Sequence, residues 1–505
     1  MSGHLTARVL VYSHRWLGIA AGLLFVIWFV SGVVMMYARM PALDPVERLA
    51  RLPAIRTASI RVAPPVPDGE TVSALSIGSL EGRPVYHVTS GGRTRLVFAD
   101  TGDAVPAVDA AQAVRIGKAF VGPPSRLVGA SADFGAGHVR HDALLADADQ
   151  WTFGVRGRMP MHRLAVDDLA GTYLYVAANS GDVVMKTTAS GRAWGWLGAV
   201  LHWLYFTSLR RNAGLWNEVI VWSSLAGTVM CLAGILWGAW RLAPIRGYRL
   251  RREPHWSPYA GWMRWHHYLG LIFGFTTLMF VFSGMLSMDP WDWHPGTAPT
   301  RDQRERLAGS PVSADELSVS ALRNALAGYA PRFPKEVALV RFRGHSYLSA
   351  AEGLVSLDAP QLGAVDQLPA DLIVGAAQLV MPGVAIDGEV WMDDYDAYYY
   401  DRDRQASLPV FRVRYADPQR TWLYFDPRHG VIARKEERLT RLNRWLYHGF
   451  HSFDFPFLYY RRPLWDIVVI ALSVGGLALS VTTITASWRR LRRHAKRITS
   501  GRSAS

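Results

Sequence analysis

The chain has 505 residues, half of them hydrophobic and only 19% charged, with 20 Trp, 20 Tyr and 19 Phe, which excludes a disordered acid-rich or Gly/Pro-rich protein. A formal charge of +14 raises nucleic acid as a partner, so the location of that charge has to be found before its size means anything. The single cysteine, Cys231, excludes a disulfide scaffold, a thiolate zinc site, a cysteine-held iron–sulfur cluster and a covalent c-type haem.

Residues 16–38 form the first of four stretches of 22 to 24 residues without Asp, Glu, Lys or Arg, the others being 219–240, 265–288 and 467–488. At about 1.5 Å per residue, each spans a hydrocarbon core of about 30 Å. The first is too long for a signal-peptide core and has no clear small-residue cleavage site after it, so it reads as a retained anchor. Residues 39–192 then read as an α+β domain, with short strands at 84–88, 96–98, 172–176, 179–181 and 183–185 and a helix over 107–120. An amphipathic interfacial helix and the second span fill 193–240, and a basic loop covers 241–264. The third span, at 265–288, opens a second half. Its outer domain, 289–440, repeats the strand-and-turn pattern at 346–357 and 412–433, with turns at Asp417-Pro418 and Asp426-Pro427. Another interfacial helix and span follow at 441–488, and a basic tail ends the chain at 489–505.

The cations settle the expected topology. Residues 1–15, 241–264 and 489–505 together hold 15 Lys or Arg against one acid, Glu253, and the rest of the chain balances at 40 against 40. The whole excess is therefore a positive-inside signal that puts both termini and the central loop in the cytoplasm, with the two large domains on the far side. None is left to argue for nucleic acid.

The halves match. At an offset of 252, His14/His266, Leu17/Leu269, Gly18/Gly270, Gly22/Gly274, Ser31/Ser283, Gly32/Gly284 and Met36/Met288 are identical. At 249, Arg192/Arg441, Trp196/Trp445, Leu197/Leu446, His202/His451, Phe206/Phe455, Leu215/Leu464 and Trp216/Trp465 are identical. Two halves of equal orientation predict a four-helix transmembrane bundle with an internal pseudo-twofold axis along the membrane normal.

An ionisable residue at a membrane helix is expensive, and both duplicated histidine pairs sit at span edges. Gly18, Gly22 and Gly32 share the helical face of His14. They serve either helix packing or clearance for a flat macrocycle, and the histidine in register with them favours the second. Haem iron takes axial nitrogens from both faces of its ring, so a pseudo-twofold supplies such pairs. His14 with His266 forms the cytoplasmic-edge site and His202 with His451 the opposite one, each for a non-covalent haem b. His448 is an alternative ligand to His451. His267 reads as a propionate or interface group, and His138 and His141 as a solvated loop rather than a metal site. Arg192 and Arg441 either reach propionates or are surface charges.

These residues carry a resemblance. His14-Arg-Trp-Leu-Gly18, Tyr173-Leu-Tyr-Val176 with Ser180-Gly181, Leu201-His202-Trp203, and Arg444-Trp-Leu-Tyr-His-Gly-Phe-His451 before Leu464-Trp465-Asp466 resemble the PepSY-associated transmembrane helix family from His14 to Trp488. The resemblance implies a bacterial inner-membrane protein with two PepSY-like periplasmic domains, similar to di-haem ferrisiderophore reductases, with His14, His266, His202 and His451 as iron ligands. The outer domains are larger than in compact reductases, and His448 is extra. With no Gly-x-Gly-x-x-Gly between a strand and a helix, the chain has no evident nicotinamide or flavin site, so electrons would come from a quinol or a cytoplasmic reductase and go to a periplasmic ferric chelate. Two other functions compete: a PepSY-type binding or regulatory membrane module without redox activity, and a small-solute transporter. The second is disfavoured by spans without charge.

Overall fold

The computed structural model describes residues 2–67, 70–122, 138–243, 248–250 and 253–502. Parts of the basic central loop (244–247, 251–252) and the end of the basic tail (503–505) lie outside them. The chain divides into two compact units, one of Met1–Met40, Ser190–His294 and Arg441–Ser505, the other of Pro41–Ala189 and Pro295–Thr440.

The first unit holds the four helices that are long and apolar enough to cross a membrane among the described residues: α1 (Ser2–Met35), α2 (Ala213–Arg241), α3 (Trp262–Leu286) and α4 (Leu464–Arg502). Helices α2 and α4 contain their expected apolar stretches, whereas α1 and α3 stop at Met35 and Leu286, short of the expected ends at 38 and 288. Helix α1 begins well before the apolar run, because residues 4–15 contain neither Gly nor Pro to stop it. His14 therefore lies more than three turns inside a helix rather than at its start. Helix α1 packs on α2 and α4, and α3 packs on the same two, closing a four-membered ring. Its core joins Phe25, Phe29, Met230, Cys231 and Val281. Glycines admit the aromatic rings: a Cβ at Gly476 would stand 2.1 Å from Cζ of Phe29, and one at Gly227 3.0 Å from Cζ of Phe25.

The segments before α2 and α4 are not the continuous amphipathic helices expected from sequence. A short helix, Ala189–Gly195, runs into a π turn, Trp196–Val200, and the chain then breaks at Leu204, whose φ is +48°. In the second half Arg438–Asn443 leads into a π turn at Arg444–Gly449, with the break at Phe453, φ +49°. Leu204 and Phe453 are 249 residues apart, the spacing of the duplicated histidines. The breaks turn His202 and His451 back into the bundle, and Asn212 then caps α2 by accepting from the Leu215 amide.

The second unit is α+β, as expected. Strands β1 (Val72–Leu80), β2 (Arg83–Ser90) and β3 (Arg93–Phe98) form one meander. Four more, β4 (Val139–Leu145), β5 (Met161–Val166), β6 (Tyr173–Ala177) and β7 (Val183–Thr187), form a sheet that buries the apolar face of helix Ala110–Val121. In the second half β8 (Val337–Phe342), β9 (His345–Ala350) and β10 (Gly353–Ser356) make the other meander. Strands β11 (Ile386–Met392), β12 (Val410–Tyr415), β13 (Trp422–Asp426) and β14 (Val431–Glu436) make the other four-stranded sheet, under helix Ala370–Val380. The expected strand at 179–181 is instead the β6–β7 turn. Its Asn-Ser-Gly sequence supplies turn chemistry, with Gly181 at φ +76° and Ser180 Oγ bonded to Asp182.

The two meanders are one six-stranded sheet, joined where β1 pairs antiparallel with β8 at Ser76–Ala338 and Ile77–Val337. Their first hairpins turn on residues in the same left-handed conformation, Glu81-Gly82 at φ 49° and 81° and Arg343-Gly344 at φ 50° and 82°. Those turns are 262 residues apart, and at that spacing Ser76 pairs with its own counterpart, Ala338.

Candidate functional site

At one end of the bundle the rings of His14 (α1) and His266 (α3) face each other with centroids 5.9 Å apart. Nδ1 of His14 lies 3.0 Å from the Met230 carbonyl oxygen. A carbonyl only accepts, so Nδ1 carries the proton and Nε2 keeps a free lone pair. Nδ1 of His266 lies 3.0 Å from Thr482 Oγ1, whose own proton goes to the Leu479 carbonyl at 2.6 Å, so this ring also donates from Nδ1. Leu479 follows Met230 by 249 residues. His14 lies so close to α2 that a Cβ at Gly234 would stand 2.5 Å from its Cε1 and Nδ1. Both histidines line a cavity of about 1270 Å³, together with Gly18, Gly22, Gly270 and Gly274 and the cations Arg15, Arg489 and Arg490.

At the other end, the rings of His202 and His451 stand 6.0 Å apart. His202 Nδ1 lies 3.1 Å from Ser31 Oγ and 3.2 Å from the Trp28 carbonyl. His451 Nδ1 lies 3.1 Å from Ser283 Oγ and 3.1 Å from the Phe280 carbonyl. Both serine protons are already given, to the Ile27 and Met279 carbonyls at 2.6 Å, so the serines accept from the imidazoles. Gly32 and Gly284 lie beneath these rings, each with a Cβ position 3.3 Å from the neighbouring Cε1. Gly32 therefore belongs to this pair and not, as its place on the His14 face suggested, to the first. Burial and then the facing His451 push His202 down to about 3, and burial lowers His451, so both imidazoles are neutral. Among the described residues none of the four Nε2 atoms has a hydrogen-bond partner.

The other sequence candidates divide. His448 lies with its ring tilted against that of Tyr447, 4.5 Å between centroids, while His451 is the residue that faces His202. His267 is buried with both nitrogens engaged, Nδ1 to Ser257 Oγ and Nε2 to the Gly238 carbonyl, each at 2.8 Å. It therefore ties the loop before α3 to α2, an interface role, with neither nitrogen left for a propionate. His141 is on strand β4 rather than in a loop, and its Nε2 lies 3.1 Å from Nδ1 of His162, not against His138. Arg192 and Arg441 are half-buried on the corresponding short helices.

Sequence reasoning missed the acceptors behind each imidazole, although Ser31 and Ser283 were in the duplicated set. A hydroxyl recurring at the same offset as a histidine inside an apolar span was the available signal. It also missed Arg444, buried and bonded to the Asp454 carbonyl at 2.6 Å and carboxylate at 3.0 Å, which clamps the turn that follows His451. Nothing marked Gly234.

Two opposed metal–imidazole bonds of roughly 2.0–2.1 Å, each extended by a ring radius of about 1.1 Å, put the ring centroids about 6.2–6.4 Å apart. Both pairs come within about 0.5 Å of that spacing, with the tautomer that ligation needs and glycine notches beside three of the rings, so these residues fit a bis-histidine metal group after a small separation of the rings. The architecture defines a membrane protein of four apolar helices, with one histidine pair on α1 and α3 and another on the broken segments before α2 and α4, and a separate unit of antiparallel sheets. The chain belongs to the family described as the PepSY-associated TM region, whose profile matches residues 11–322. No curated protein matches the chain.

Proposed function

We propose that this chain is an internally duplicated transmembrane electron-transfer protein of the bacterial inner membrane. It holds two non-covalent haem b groups and reduces a ferric chelate in the periplasm, in the manner of ferrisiderophore reductases. One observation carries the reading: two histidine pairs at opposite ends of the bundle, each near 6 Å between rings, each ring donating from Nδ1 and keeping Nε2 free. The paired breaks at Leu204 and Phe453 and the Ser76–Ala338 pairing support the duplication. The basic tracts support cytoplasmic termini and periplasmic sheet domains.

His14 and His266 would hold the inner haem, and His202 and His451 the outer. Haem iron held in this way exchanges one electron between its ferric and ferrous forms. The protein's own contribution is orientation. The carbonyls of Met230, Trp28 and Phe280, with Thr482, Ser31 and Ser283, fix each ring's tautomer and increase its basicity toward a metal. Arg15, Arg489 and Arg490 supply positive charge where the inner cavity would meet the acidic groups of the macrocycle, and Arg192 and Arg441 are the candidates at the outer site.

A pyridine haemochrome assay on the purified protein tests this. Two haem b per chain are expected, falling to one in His14→Ala, His266→Ala, His202→Ala or His451→Ala. The outer-site variants should keep a dithionite-reducible inner haem but lose reduction of a ferric chelate. A colourless wild-type protein from haem-replete cells overturns the reading and leaves the binding or regulatory module in its place.

A further inference from the structure

Beside the inner histidine pair, α3 and α4 leave a groove of about 500 Å³ lined by Gly261, Trp262, Trp265, Leu269, Ala478, Val481 and Thr482. All but Gly261 lie on helices that are candidate spans, and Trp262, Trp265 and Val481 are exposed on the outside of the bundle, where a membrane helix meets lipid. The lining is apolar and aromatic except for one side-chain hydroxyl, that of Thr482. That hydroxyl is the one that accepts from Nδ1 of His266. Gly261 and Trp262 also line the cavity that contains His14 and His266, so groove and cavity share a wall.

We infer that this groove binds the headgroup of a membrane quinol, the electron donor to the inner histidine site. The inference rests on the haem reading above and names its donor. A quinol headgroup is a flat, mostly apolar ring with two hydroxyls and an isoprenoid tail that stays in lipid. It suits a groove with indole walls and little polar surface, opening where the tail can remain in the hydrocarbon, with the buried Thr482 hydroxyl tying that wall to His266. A soluble nicotinamide or flavin carrier needs phosphate-binding cations, and among the described residues the groove's lining has none. In the reaction both quinol O–H bonds break and two protons pass to water at the inner membrane edge. Two electrons leave singly, each reducing one ferric iron to ferrous, and the quinol becomes a quinone.

The test uses the full chain in phosphatidylcholine nanodiscs with a short-chain azidoquinone as photoprobe and decylubiquinol as reductant. Saturable labelling of peptides from 262–286 and 464–492, competed by decylubiquinone, is expected, and this readout needs no haem. Ala478→Trp fills the groove and should weaken labelling at least tenfold and slow haem reduction by decylubiquinol to the same extent, while dithionite still reduces both haems. Val481→Trp, at a lipid-exposed position that cannot disturb the core, should do the same and guards against a folding defect in the first variant. Labelling confined to other peptides, or unchanged labelling in both variants, overturns the inference while haem content stands. Normal groove labelling in a protein without haem retains a quinone site and removes the electron-transfer reading instead.

Discussion

Gly234→Ala separates preorganisation of the inner site from stability of the bundle. The new Cβ would lie 2.5 Å from Cε1 and Nδ1 of His14, whereas ordinary contact begins at 3.4 Å, so the ring must recede by 3.4 − 2.5 = 0.9 Å. That movement breaks the 3.0 Å bond from Nδ1 to the Met230 carbonyl and withdraws Nε2 from its partner ring. Overpacking costs about 1–3 kcal/mol and the lost hydrogen bond about 0.5–1.5 kcal/mol. Replacing a mid-helix glycine returns about 0.5–1 kcal/mol. The net is a destabilisation of roughly 0.5–4 kcal/mol, borne by a bundle that keeps its other contacts. Haem per chain, the reduced-minus-oxidised spectrum and thermal unfolding are measured together. The variant should fold and keep one haem of two, with the outer spectrum unchanged. Gly32→Ala is the control, since its Cβ position is 3.3 Å from His202, only 0.1 Å short of ordinary contact, and it should keep both haems. A Gly234→Ala protein with two haems and a native inner spectrum would refute the packing argument.

Other outcomes follow from the same contacts. Ser31→Ala or Ser283→Ala leaves Nδ1–H with the backbone carbonyl alone. Losing about 0.5–1.5 kcal/mol of hydrogen bonding corresponds to about 20–60 mV at 59 mV per tenfold for one electron, so the outer midpoint should rise by that amount in a redox titration with no loss of haem. Asp454→Ala removes the carboxylate from Arg444, whose side chain is 2% exposed, and leaves the bond to the backbone carbonyl of the same residue, at a cost of up to about 3 kcal/mol. The turn after His451 should loosen and the outer haem be lost before the inner, as read by haem content during mild heating. In the sheet unit, the hydrogen bond to Asp426 raises the His429 pKa above its usual value. Folding then favours the charged ring, so its contribution is complete below about pH 6.5 and disappears as pH rises through the raised folded value. Melting temperature should decline across that window, and His429→Gln should flatten the decline.

The four spans and the histidine pairing were legible because each depends on a pattern the chain writes locally: long charge-free runs, and identities at constant offset. The breaks at Leu204 and Phe453 were not. Neither is a glycine, and a left-handed residue of this kind is selected by the packing that follows it rather than by its own propensity. The joining of β1 to β8 was also hidden, since pairing between segments 262 residues apart leaves no mark in either strand. Gly234 illustrates the same limit at the site. Its sequence neighbours describe an ordinary apolar helix, and its importance comes entirely from a ring on another helix.

The interior between the two histidine pairs bears on what crosses the membrane. His14 and Ser31, the residue that accepts from His202, are 17 positions apart on α1, about 25 Å at 1.5 Å per residue. The pairs are therefore separated by most of the thickness of a hydrocarbon core of about 30 Å. Between them lie Phe25, Phe29 and Val281, of which Phe25 forms the inward wall of the inner cavity together with Met230. Three hydroxyls at this depth are committed to their own helices: Thr228 donates to the Ser224 carbonyl and Thr277 to the Phe273 carbonyl, both at 2.8 Å, and Ser480 to the Gly476 carbonyl at 2.8 Å. The charge-free runs supply no carboxylate or ammonium to relay a proton or coordinate an ion. A solute or ion path beyond the inner cavity would have to remove the rings that fill the notches at Gly227 and Gly476. Electrons need no such opening, because they tunnel through packed atoms. An interior without charged side chains between two histidine pairs suits the electron-transfer reading, and it offers a transporter no charged group to work with.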